Sequence, residues 1–221
     1  MGISLFCEIN YKTYMSFLPD LLQDKYKKMK PLIRRRLREF RQIPEEEYFY
    51  EMCFCVCTPQ SKAENAWQVQ QKLKDKDFLR KKFDPTEILF DKTHYIRFHN
   101  QKAKRLLELR ENYSEIKDII TSEMDDKSKR IWLRKKVNGF GMKESSHFLR
   151  NIGYKNMGIL DRHILKHLVL CGVYKNIPNI NGDKRYFEVE KKFVKFSKQV
   201  GIPLDELDLL FWSYETGIIL K

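Results

Sequence analysis

Two side chains in this sequence have types and spacing that suggest chemistry: Lys143, which directly follows the turn Gly139-Phe-Gly141-Met142, and Asp161, 18 residues further on. A pair of glycines lets the backbone adopt positive φ and lets a bulky anion approach it closely. A helix that begins at once after such a turn points unpaired N–H groups outward, which suits a phosphate and reads no base sequence. Gly139, Gly141 and Met142 are therefore expected to hold a nucleic-acid backbone. Lysine at a helix start is ordinarily a solvated cation. As a neutral amine, however, it can attack C1′ of a deoxyribose, displace the base and leave an imine that permits β-elimination of the 3′ phosphate. A helix N-terminus and partial burial both work against the ammonium. A carboxylate facing the same sugar would stabilise its positive charge as the base leaves and help move protons. The competing reading of Asp161 is a helix N-cap and nothing more.

The elements between the two residues can bring them together. A helix over 142–152 carries the chain roughly 16 Å away at 1.5 Å per residue. Residues 153–160, if extended at about 3.3 Å each, can return that distance. Asp161, opening the next helix, then lies beside Lys143. With the amphipathic helix before the glycines, the segment 126–152 reads as a helix–hairpin–helix.

The rest of the chain supports an all-α fold of about ten helices. Apolar residues recur at helical spacing over 22–41, where Leu21, Leu22, Tyr26, Met29, Leu32, Ile33, Leu37 and Phe40 mark one face and Pro31 marks a kink or a second start. Pro44 and the acids Glu45 to Glu47 predict a helix N-terminus, followed by a buried run through Cys57. Further helices are expected from about 62 to 73 and over 99–111, 125–137, 161–170, 184–200 and 204–216, with Gly153 as the residue that ends the catalytic helix. Met157–Leu160 reads as a short strand-like piece.

Lys and Arg outnumber Asp and Glu by 43 to 30 in 221 residues, giving a net charge of +13. This favours a polyanionic partner, duplex DNA being the expected one, with solubility as the alternative meaning of the charge. No apolar run approaches the ~20 residues that cross a bilayer, and the first residues lack the basic and apolar pattern of a secretory signal. The chain is expected in the cytoplasm, at the nucleoid of a prokaryote, as a monomer. The five cysteines, three of them in Cys53-x-Cys55-x-Cys57, read as buried free thiols with no metal site.

Gly139-Phe-Gly-Met-Lys143 followed by Ile159-Leu-Asp161-Arg-His resembles the helix–hairpin–helix DNA glycosylase superfamily. The longer string from Lys143 to Gly153 is similar to the second family of 8-oxoguanine DNA glycosylase/lyases, compact enzymes of archaea and some bacteria. The likeness runs from about residue 25 to the C-terminus and includes Phe54-Cys-Val-Cys-Thr-Pro-Gln-Ser-Lys-Ala63 and Ile96-Arg-Phe-His-Asn-Gln-Lys-Ala103. It implies a single domain over 1–221, folded as two helical lobes with a DNA-binding cleft between them. It also implies Lys143 as the Schiff-base nucleophile and Asp161 as its acidic partner. Phe98 and Trp212 would flank a flipped base, and the terminal Lys221 would help recognise its oxidised ring. Gln60 stands where several relatives carry Asn, and would touch the base or fill the gap it leaves. His147 and His163 are expected to orient or pack. Only Cys171 follows the motif, so no iron–sulfur cluster and no other cofactor are expected. Two alternatives stay open: a glycosylase/lyase for another damaged base, and a non-catalytic helix–hairpin–helix module that binds DNA.

Overall fold

The structure, a computed structural model, describes residues 16–220. Among them are eleven α-helices and a single 3₁₀ turn, with no β-strand. The first helix, α1 (Asp20–Phe40), runs through Pro31 without a break. Its sequence-predicted apolar face is only partly realised. Leu22, Ile33 and Phe40 are buried, whereas Leu21 and Leu32 face solvent. Tyr26, Met29 and Leu37 pack partly buried against the same core, and polar contacts add to the docking: the Arg34 guanidinium and the Tyr26 hydroxyl both donate to the buried Glu206, at 3.0 and 2.5 Å, and Lys25 donates to the Ser213 carbonyl.

After a 3₁₀ turn at Glu45–Glu47 comes α2 (Tyr48–Cys57), in which every residue from Phe49 to Cys57 is buried. A helix buried on all sides belongs at the centre of a core, and its one acid, Glu51, accepts there from Gln70 and Asn151. Around it pack α3 (Ala63–Asp75), α5 (His99–Glu111), α6 (Tyr113–Thr121) and the later part of α8 (Met142–Asn151). Burial pushes the Cys53 thiol well up and that of Cys57 to about 12, so both stay protonated. No group of three or more His, Cys, Asp or Glu is placed to hold a metal ion among the described residues.

Two helices are additions to the sequence reading. The five-residue α4 (Thr86–Phe90) is too short to show a period. In α6, Tyr113, Ile116 and Ile120 keep helical spacing, but Asn112 ends α5 and starts α6 without an intervening loop, so the two merge in sequence. A second core is built from α1, α9 (Arg162–Leu170), α10 (Gly182–Val200) and α11 (Leu204–Thr216). The helix α8 joins the two cores: Met142 at its start belongs to the second, and Phe148 and Leu149 belong to the first. This makes two helical lobes with α8 between them. No helix of the described residues is long and apolar enough to cross a membrane.

Candidate active site

The hairpin is α7 (Asp126–Lys136), the turn and α8. Asp125 caps α7, accepting from the amides of Lys127 and Ser128 at 3.1 and 3.0 Å. Gly139 sits at φ +91°, a conformation that favours glycine, and a Cβ there would push the Arg105 side chain, whose Cδ lies 2.8 Å away, aside. Gly141, the N-cap of α8, carries no side chain to cover the first-turn amides. Glu144 folds back instead, accepting from the Gly141 amide at 3.0 Å and pairing with the Lys143 ammonium at 3.2 Å. Burial of the Met142 side chain in the second core fixes the direction in which α8 leaves the turn. Lys143 is half-buried, with its charge held by a neighbour on its own helix.

The return path from α8 to Asp161 is irregular, with left-handed backbone at Gly153 and Asn156, and it joins no sheet. Backbone groups buried away from a sheet need other partners, and α10 and α11 supply them as side chains. The Asn156 amide donates to Asp205 at 3.1 Å, and Met157 interacts with the same carboxyl group. Gly158 donates to Glu190 at 2.9 Å, and its carbonyl accepts from the Tyr186 hydroxyl at 2.5 Å. Ile159 interacts with Asp208, and Leu160 donates to the Tyr186 oxygen at 3.2 Å. A Cβ at position 158 would press within 3.1 Å of Glu190, so the close approach calls for glycine. Glu190 is itself held by Arg130 of α7 through a two-pronged pair at 2.5 and 2.8 Å, and Arg130 reaches Ser146 of α8 at 3.1 Å. One buried network therefore ties both hairpin helices to the segment that delivers Asp161. Asp161 caps α9, with Oδ1 accepting from the amides of His163 and Ile164 at 2.8 and 2.9 Å.

Lys143 and Asp161 line one cavity of about 820 Å³ between the lobes, together with Gln60, Arg97, Asp208 and Trp212. The volume suits a nucleobase with its sugar. Trp212 is half-buried on α11, one turn from Asp208. Gln60 is exposed at φ +57°, in a turn held from behind by the buried Lys102. The Lys102 ammonium donates to the carbonyls of Cys57 and Pro59 and to the Ser61 hydroxyl, at 2.7, 2.6 and 3.2 Å. Its burial brings it down to about 8, although these acceptors favour the cation. Phe98 is the member of the expected set that the structure leaves out of the cavity. It caps α5 at φ +60°, exposed, with the Arg97 guanidinium 5.0 Å from its ring centre, while Arg97 itself lines the wall. Lys221 lies outside the described residues. His147 and His163 also line the cavity, His147 edge-on to Phe54 and His163 3.8 Å from Glu215.

Two buried residues at the cavity wall were not singled out from sequence, Arg150 and Asp208. Burial pushes the Asp208 carboxyl up to about 7 against the pull of the Arg150 charge, with Asp161 and Asp205 adding to the rise. The signal was present in Leu207-Asp208-Leu-Leu-Phe211, where one acid interrupts an apolar helix face. Chemically, the site combines an amine, a carboxyl group with one oxygen outside the cap, an aromatic face and a buried acceptor, all beside a hairpin shaped for an anion.

Comparison with known proteins identifies what the chain is similar to. A family model described as 8-oxoguanine DNA glycosylase matches residues 33–202. A Fusobacterium nucleatum protein named 8-oxoguanine DNA glycosylase/AP lyase is 41% identical over 206 residues, spanning 89% of this chain and 94% of that protein. One of the same name from Korarchaeum cryptofilum is 37% identical over 203 residues, spanning 91% and 96%. Among solved structures, the Methanocaldococcus jannaschii 8-oxoguanine glycosylase/lyase in complex with a 15mer DNA containing 8-oxoguanine superposes with a TM-score of 0.80 at 33% identity, covering 91% of this chain and all of that one.

Proposed function

The chain belongs to the 8-oxoguanine DNA glycosylase family, and from that premise we propose that it is a bifunctional glycosylase/AP lyase acting as a monomer on duplex DNA that contains 8-oxoguanine or abasic sites. The observation that carries the reading is that Lys143 and Asp161, each at the start of a helix, line the same nucleotide-sized cavity next to the glycine turn. Lysine and arginine side chains bind the duplex through its phosphates. The backbone of Gly139, Gly141 and Met142 anchors one strand beside the lesion. The damaged nucleotide leaves the stack, at a cost of a few kcal/mol, and enters the cavity.

Trp212 supplies one face for the flipped base, and Phe98 closes over the other from beside Arg97. Gln60 and Lys221 contact the base edge. As the base departs, the Asp161 oxygen not engaged in the cap stabilises positive charge on the sugar. Lys143, released from Glu144 and deprotonated, adds to C1′, and the C1′–N9 bond breaks with the base taking up a proton. The C1′–O4′ bond then breaks with O4′ taking up a proton, the ring opens to the imine, and the imine acidifies the C2′ hydrogens. Loss of one of them expels the 3′ phosphate, and water then hydrolyses the imine. A DNA-binding module without activity would leave unexplained why an amine and a carboxyl group share a cavity of this size. The test is incubation with an 8-oxoguanine duplex and its unmodified counterpart. Base release with strand scission, confined to the lesion duplex, is expected. Binding without release would refute the reading, and release without scission would refute the lyase half.

A further inference from the structure

The reaction above leaves one buried cation of the first lobe without a task. Lys102 is 2% exposed on α5, and its ammonium donates to the carbonyls of Cys57 and Pro59 and to the Ser61 hydroxyl. Burying an ammonium is costly even when it is hydrogen-bonded. What this one holds is the rim of the cavity, to which Thr58, Gln60, Ser61 and Arg97 belong. The Ser61 oxygen that accepts from Lys102 also accepts from the Arg97 amide at 3.0 Å. The Lys102 amide in turn donates to the Phe98 carbonyl at 3.0 Å. One residue therefore reaches both corners of the rim, the Gln60 turn through its side chain and the Arg97–Phe98 corner through Ser61 and its own backbone. Both corners have backbone that needs outside support. Gln60 at φ +57° and Phe98 at φ +60° lie in the left-handed region, where side-chain-bearing residues are held only when their surroundings fix them. Asn65 adds a link between the two segments by donating to the Tyr95 carbonyl at 3.0 Å, but that bond is exposed and competes with water.

We propose that Lys102 is a positioning residue that fixes the Gln60 turn and the Arg97–Phe98 corner relative to each other, and so sets the opening through which a flipped base is captured. This rests on the glycosylase reading and deepens it by separating capture of the base from chemistry on the sugar. Lys143 and Asp161 stand at the starts of α8 and α9. They are held by a different network, in which Arg130, Glu190 and Tyr186 tie the hairpin to the return path. Loss of Lys102 therefore disturbs the reaction that begins with a base. It spares scission at an abasic site, where the sugar arrives with no base to hold.

The test compares two single-turnover rates in the wild type, Lys102→Met and Ser61→Ala: release of 8-oxoguanine from a lesion duplex, and strand scission of a duplex with a preformed abasic site. Methionine keeps the length of the side chain and removes its donors. Ser61→Ala cuts the link to Arg97 but keeps the Lys102 charge, on which the charges of Lys143 and Glu144 act. The ratio of base release to abasic scission should fall about 100-fold in Lys102→Met, the scale of a misplacement near 1 Å. In Ser61→Ala it should fall about tenfold, as for one lost hydrogen bond to a charged group. A merely structural role would slow both reactions alike, so an unchanged ratio in either variant overturns the proposal even where both rates drop. Should Lys102→Met fail to fold, Ser61→Ala decides in the same way. Failure of the wild type to release 8-oxoguanine at all would remove the glycosylase reading, and the proposal with it.

Discussion

Replacing Tyr186 by Phe removes a single oxygen far from any expected DNA contact, yet the structure assigns that oxygen a large effect. It donates to the Gly158 carbonyl and accepts from the Leu160 amide, in a side chain only 4% exposed. The ring of Phe fills the same space, so cavity formation contributes little. The substitution leaves two buried backbone groups without partners, at about 1–3 kcal/mol each, and the expected loss is about 2–4 kcal/mol of folding free energy. That is a large part of the 5–15 kcal/mol typical of a domain. Leu160 directly precedes Asp161, so the carboxyl group should shift against Lys143, and a misplacement near 1 Å can cost about 100-fold in rate. Urea unfolding measures the first effect, and single-turnover excision at a temperature where the variant is folded measures the second. Affinity for an unmodified duplex, set by the hairpin, should stay within about threefold. Stability within about 0.5 kcal/mol of wild type would refute the assignment of these bonds. Lost stability with undiminished excision would refute the idea that the return segment governs the placement of Asp161.

Asp161→Asn separates the cap from the chemistry. Asn caps a helix about as well as Asp, so stability should change by less than about 0.5 kcal/mol while excision falls at least about 100-fold; a parallel loss of both would reduce Asp161 to a cap. Gly139→Ala should lower affinity for unmodified duplex and cost roughly 1–2 kcal/mol in stability, because φ +91° and the Arg105 side chain both oppose a Cβ; binding isotherms and unfolding curves check this, and unchanged affinity would move the anchor elsewhere. Lys102 gives a pH signature. Its folded value of about 8 lies below the ordinary 10.5, so the buried charge costs stability below pH 8, and the cost is relieved as pH rises through that window. Relative to Lys102→Met, the wild type should therefore gain up to about 3 kcal/mol between pH 8 and 10.5, and a flat difference would contradict the burial of a charged amine.

Legibility in the sequence followed the range of the interactions. Lys143 and Asp161 could be paired because a glycine turn, a helix of fixed rise per residue and a short return segment are local features. The boundaries of α5 emerged for the same reason. What holds the return path in place was not legible, because Tyr186, Glu190 and Asp205 act on residues 156–160 from 26 to 49 positions away. Of the two outcomes expected at Pro31, a kink or a second start, the second start does not occur: one helix runs through it, docked along α11. Phe98 matched a family motif, yet the αL geometry at the start of α5 turns it toward solvent, which no string of residue types records. Asp208 was visible as an acid within an apolar run, although only the fold shows that the run forms a cavity wall.

The account depends most on the Lys143 amine becoming covalently joined to the sugar. Borohydride reduction during turnover of an 8-oxoguanine duplex, with peptide mapping of the adduct, tests that bond directly. The expected result is a stable protein–DNA adduct located at Lys143 and absent from Lys143→Gln, which should still bind the duplex. An adduct that persists in Lys143→Gln, or one that maps to another residue of the wild type, would contradict it.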